Sequence, residues 1–122
     1  MQENVIKSGP NLRPLSIIKY DISLSTARIQ QYTNSNRLVS QRMLDEVDRY
    51  KKEYAKTENF INSSDENLKH YVTCLRASLS KYQKSHDQAI NLGKRDLAAK
   101  TANAKLQLLV KELENYGNQT YV

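Results

Sequence analysis

Both prolines, Pro10 and Pro14, and one of the three glycines, Gly9, fall at the very start of the chain, and from Pro14 to about Ile61 neither residue type occurs again. Glycine and proline are the strongest punctuators of local structure, so a stretch without them has few marked places to turn. The rest of the composition narrows the choice. Of 122 residues, 39% are hydrophobic, with no Trp, one Phe and eight Tyr. That is too polar for a thick globular core and too poor in turn residues for a sheet protein, which leaves long helices in one domain.

The apolar residues arrange themselves accordingly. Tyr32, Met43 and Tyr54 recur at eleven-residue steps, as do Val39, Tyr50 and Ile61, with Ile29 and Val47 between them. An eleven-residue step predicts a nearly straight seam. Pro14 suits a first helical turn, so helix one is expected over about 14–61. Residues 62–65 form the strong polar break, where Ser63 and Glu66 fit a capping box. Helix two is expected over about 64–117. Its early seam is Leu68, Val72, Leu75, Leu79, Tyr82 and His86, and its later one Leu92, Ala99, Leu106 and Leu113 with Ala102, Leu109 and Tyr116. The register changes around Gly93, where either a kink or an exposed continuous helix fits. The expected fold is all-α: a long antiparallel two-helix coiled-coil hairpin over 14–118, with a flexible N-terminal tail at 1–13 and a short tail at 119–122. Each helix would be about 70 Å long. A three-helix bundle bent at Gly93 is the alternative.

A thin rod offers no pocket for catalysis, and the reactive side chains do not suggest one. Cys74 is the one cysteine, which excludes an internal disulfide. His70 and His86 lack a second imidazole at zinc-binding spacing and read as surface or seam residues. Asp45, Glu46 and Asp48 beside Arg42, Arg49, Lys51 and Lys52 look like a solvated helix face. No catalytic, cofactor or metal site is therefore expected, and the chain reads as a non-enzyme. The net charge of +6 is more informative. Lys81, Lys84, Lys94, Arg95, Lys100 and Lys105 form a basic patch that suits an acidic protein surface, anionic lipid or nucleic acid. There is no apolar run long enough for a membrane span and no signal-peptide layout at the start, so a cytoplasmic protein is expected.

The segment Leu44 to Tyr54, LDEVDRYKKEY, followed by NLKHYVTCLRASLSKYQK from Asn67 to Lys84, resembles the central part of the FliJ-type family of flagellar and virulence type III secretion. The likeness lies in Tyr50, Glu53 and Tyr54 near the end of helix one and Tyr71 near the start of helix two, and covers about a third of the chain. It implies an antiparallel coiled coil acting as central stalk and adaptor of the hexameric export ATPase. It also implies contacts to the export gate and escort chaperones, in the cytoplasm or peripherally at the inner membrane. The matching gate-contact positions are Met43, Val47, Tyr50 and Tyr54, while Cys74 and Ser78 depart from the family pattern. Tyr50 and Tyr54 also lie on the stripe needed for the hairpin seam. Two other classes fit a helical hairpin: a secretion chaperone or secreted partner protein, and a basic coiled coil that binds nucleic acid.

Overall fold

A computed structural model of the chain describes residues 12–93 and 97–120, with the backbone alone for 97, 98 and 117–120. The described residues form four helices and no strand: α1 (Leu15–Asn34), α2 (Gln41–Ser63), α3 (Asp65–Asn91) and α4 (Leu97–Thr120). The fold is all-α, but each of the two long helices expected from the sequence is divided in two.

The first division is at Asn36, which adopts the left-handed conformation at φ 57°. The Asn36 N–H donates to Thr33 O at 3.1 Å and the Arg37 N–H to Tyr32 O at 2.8 Å, the paired bonds that close a helix through a left-handed residue. The Arg37 guanidinium lies 4.4 Å from the Tyr32 ring centroid, covering the same turn from outside. Asparagine tolerates this conformation better than other non-glycine residues, so the helix ends with neither glycine nor proline. Ser40 restarts it, its hydroxyl accepting from the Met43 N–H at 3.2 Å. The eleven-residue repeat across 32–54 therefore spans a break rather than following one helix. The second division is at Gly93, with φ 76°, just beyond the end of α3. Its N–H donates to Ile90 O at 3.0 Å. Gly93 therefore does not sit in an exposed continuous helix: α3 has ended at Asn91, and the chain breaks here more fully than by a kink.

Between α2 and α3 the turn is a single extended residue, Ser64, whose hydroxyl accepts from the Asn67 N–H at 3.1 Å. The cap is thus Ser64 rather than Ser63, whose hydroxyl donates back to Asn59 O at 2.6 Å. Asp65 and Glu66 fill the first turn of α3, where negative charge complements the helix dipole. At the other end α4 continues through residues 119 and 120, which the sequence had placed in a tail.

Each helix packs on its neighbour in sequence, and α4 returns to α1, which gives an up-down-up-down order. The core gathers at one end, where α1 starts, α2 ends, α3 starts and α4 ends. Leu15 and Ile17 of α1, Ile61 of α2, Tyr71 and Leu75 of α3 and Leu109 of α4 make one buried cluster. Away from this base the two hairpins differ. No side chain of α1 beyond Ile18, and none of α2 before Thr57, is buried, so the rest of α1–α2 is a two-helix arm with half-buried Ile22, Ile29, Tyr32, Met43, Val47 and Tyr50. The α3–α4 hairpin keeps Ala89, Ala99 and Leu106 buried further along.

Residues 1–11, most of the expected N-terminal tail, lie outside the described residues. Leu12 and Arg13, assigned to the same tail, are fixed. Leu12 packs against the core, and Arg13 donates two bonds of 2.9 Å to the Glu53 carboxylate and one of 2.8 Å to Asp21. The helix break is tested at Asn36. Asn36→Gly should be neutral or stabilising, and Asn36→Val should cost about 1–2 kcal/mol in urea unfolding followed by circular dichroism, because a β-branched residue is strained at positive φ.

Candidate functional site

The first N–H groups of a helix have no partner within it, and α1 begins at Leu15 after Pro14, which supplies no side-chain cap. The caps come from other helices. The Tyr71 hydroxyl of α3 accepts from the Leu15 N–H at 2.6 Å, and Glu112 Oε1 of α4 accepts from the Ser16 N–H at 3.1 Å. Tyr71 in turn donates to Glu112 Oε2. Both carboxylate oxygens are thereby engaged, and a negative charge sits at the positive end of α1. Tyr71 is fully buried and Glu112 nearly so. The Tyr116 ring meets Tyr71 edge to face, with centroids 5.4 Å apart. Burial, and after it the bond to Glu112, pushes the Tyr71 phenol well above the ordinary tyrosine range. Burial also raises Tyr82 and Tyr116.

A groove of about 520 Å³ opens beside this clamp, between α1 and α4. Leu15, Tyr20, Tyr54, Leu108 and Tyr116 give it an apolar lining, with Lys19 and Lys111 among its other lining residues. Across the molecule Arg13 ties the start of α1 to α2, and its bonds to Glu53, against an opposing desolvation, hold the guanidinium firmly charged.

The four positions matched to a gate contact share one face of α2, and all are half-buried. Met43, Val47 and Tyr50 belong to the arm. Tyr54 packs against the base and lines the groove. Tyr50 lies beneath two guanidinium groups, Arg13 at 5.5 Å and Arg49 at 5.6 Å from its ring centroid. Of the basic patch, Lys81, Lys84 and Lys100 are exposed, whereas Lys94 and Arg95 lie outside the described residues. Lys105 is turned inward, its ammonium 5.8 Å from the Tyr20 ring centroid and 5.4 Å from that of Tyr82. It thus joins α1, α3 and α4 instead of facing outward.

His70 and Cys74 are one turn apart on α3, with Cys74 Sγ 3.6 Å from His70 Nε2. The Phe60 ring packs edge-on to His70 at 5.9 Å. Among the described residues no group of three or more His, Cys, Asp or Glu could hold a metal ion. None of the described helices is long and apolar enough to cross a membrane.

Sequence reasoning passed over Glu112, Arg13 and the hydroxyl of Tyr71. A signal was present in Glu112, an acid directly beside the apolar seam formed by Leu109, Leu113 and Tyr116. Its partners are 41 and 96 residues away in the chain, beyond the reach of any local pattern. No protein-family model, curated protein or solved structure matches the chain.

Two outcomes test the clamp. Tyr71→Phe keeps the ring but leaves the Leu15 N–H and the Glu112 carboxylate short of a partner, and should cost about 1–3 kcal/mol in urea unfolding. The pH dependence follows from the raised Tyr71 value. The unfolded chain releases this proton near pH 10 while the folded chain keeps it, so the stabilisation is complete below about pH 10 and is lost as pH rises beyond it. Unfolding titrations should show stability falling above about pH 10, a fall to which the raised Tyr82 and Tyr116 also contribute and which is shallower in Tyr71→Phe.

Proposed function

We propose that the protein is a non-catalytic helical adaptor, which acts by binding other proteins. The observation that supports this reading is the α1–α2 arm. Its seam residues stay half-buried because two helices cannot enclose a core, and no second hairpin covers them. Large aliphatic side chains face solvent along and at the end of the arm, Leu38 at 88% and Leu24 at 53% exposure. A surface of this kind is suited to a partner that completes the packing.

The resemblance of Leu44–Tyr54 and Asn67–Lys84 to the FliJ-type family gives the reading its specific form: an adaptor of a type III export apparatus that contacts the export ATPase and the gate. A stalk through a ATPase ring calls for a long rod. The longest helix among the described residues has 27 residues, about 40 Å at 1.5 Å per residue, so the adaptor part of the role is the one proposed. Met43, Val47 and Tyr50 are the contact residues on the arm. Tyr54 is assigned to the base.

Binding of the purified chain to the export ATPase and to the cytosolic part of the gate tests this. Tyr50→Ala is expected to weaken such binding roughly tenfold, about 1.4 kcal/mol, while far-UV circular dichroism stays near that of the parent chain. Association with neither component, together with a one-to-one complex with a secreted substrate, would replace the adaptor with a secretion chaperone.

A further inference from the structure

We propose that the groove between α1 and α4 is a docking site for an amphipathic helix of another protein, one that carries carboxylates on either side of its apolar stripe. The inference rests on the protein-binding reading above and assigns that function a second surface, distinct from the arm.

The groove's lining residues run from Leu15 to Ser23 on α1 and from Leu108 to Tyr116 on α4. Each wall is therefore about 12 Å long, the length over which a helix presents apolar side chains at i, i+3 or i+4, and i+7. The α1–α4 seam is also the least closed of the four between adjacent helices. Its apolar lining residues include three tyrosines, Tyr20, Tyr54 and Tyr116, a residue type that anchors partner side chains. The Ser16 hydroxyl lies buried at the groove with no hydrogen-bond partner.

Charge selects the occupant. Lys19 on α1 and Lys111 on α4 are exposed, and neither makes an ion pair among the described residues. The one acid among the described lining residues, Glu112, has both oxygens engaged by Ser16 and Tyr71. The charges left to meet a ligand are positive. A second copy would bring its own net +6 to this surface, which opposes association. Residues 1–11, MQENVIKSGPN, carry one Glu and one Lys and offer no net negative charge. A separate acidic helix meets both the apolar and the electrostatic requirement.

The test is an NMR titration of the full ¹⁵N-labelled chain with two synthetic helical peptides of about 15 residues. They share a Leu stripe and differ in flanking residues, Glu in one and Lys in the other. The Glu-flanked peptide is expected to shift the amides of Ser16, Tyr20, Leu108 and Tyr116, to bind roughly tenfold tighter than the Lys-flanked one, and to weaken with salt. Lys19→Glu with Lys111→Glu should invert that preference, with the circular dichroism spectrum unchanged. Shifts confined to the arm, equal binding of both peptides, or no binding would overturn the proposal. So would a free chain that is dimeric through this face, or tighter peptide binding after removal of residues 1–11. If an export component binds the chain through Tyr50 but neither peptide shifts the groove amides, the adaptor reading survives and the groove as a docking site does not. If the peptide binds the groove but no export component binds the chain, the converse holds.

Discussion

The first turn of α1 depends on two side chains that are not its own. Leu15 and Ser16 present backbone N–H groups where the base is most buried, and an unpaired donor there costs about as much as a lost hydrogen bond. The Tyr71 hydroxyl and the Glu112 carboxylate meet both donors and also each other. One three-way contact thereby ties α1 to α3 and α4. Arg13 completes the join through Glu53 on α2. Every helix is thus linked at the base by polar contacts laid over the cluster of Ile17, Ile61, Leu75 and Leu109.

This arrangement explains why the two ends of the molecule differ. Four helices converge at the base and can exclude water from a shared interior. Beyond it the α1–α2 pair has one seam and no cover among the described residues, so its apolar residues remain half-exposed whatever their spacing. The groove between α1 and α4 arises next to the clamp, where the two hairpins meet through a narrow contact. The same geometry that satisfies Glu112 removes it as a free negative charge, leaving Lys19 and Lys111 to set the groove's electrostatic character.

The helical class and much of the seam were legible in the sequence. Val72, Leu75, Ala99, Leu106 and Leu109, chosen by periodicity, are all buried. The helix ends were less so. Gly93 marks its break openly, because glycine reaches positive φ without strain. Asn36 hides its break within a run that otherwise reads as helix, and the polar cluster Thr33-Asn34-Ser35-Asn36 was the signal to weigh. The clamp was illegible for a different reason. Tyr71, beside the seam, and Glu112, a surface acid by pattern, carry no mark of a shared role until tertiary packing brings them to the start of α1. Lys105 makes the same point from the other side, a member of the basic patch in sequence and an inward contact to Tyr20 and Tyr82 in space.

Residue-resolved amide hydrogen exchange would examine the central claim, that the chain is anchored at a base by the clamp on α1 and extends from there as a weaker arm. The Leu15 and Ser16 amides open only when Tyr71 and Glu112 let go. They should therefore share the protection of the core around Leu75 and Leu109, while amides over 22–32 and 43–50 exchange markedly faster. Rapid exchange at Leu15 and Ser16, or uniform protection along the whole of α1 and α2, would contradict the account.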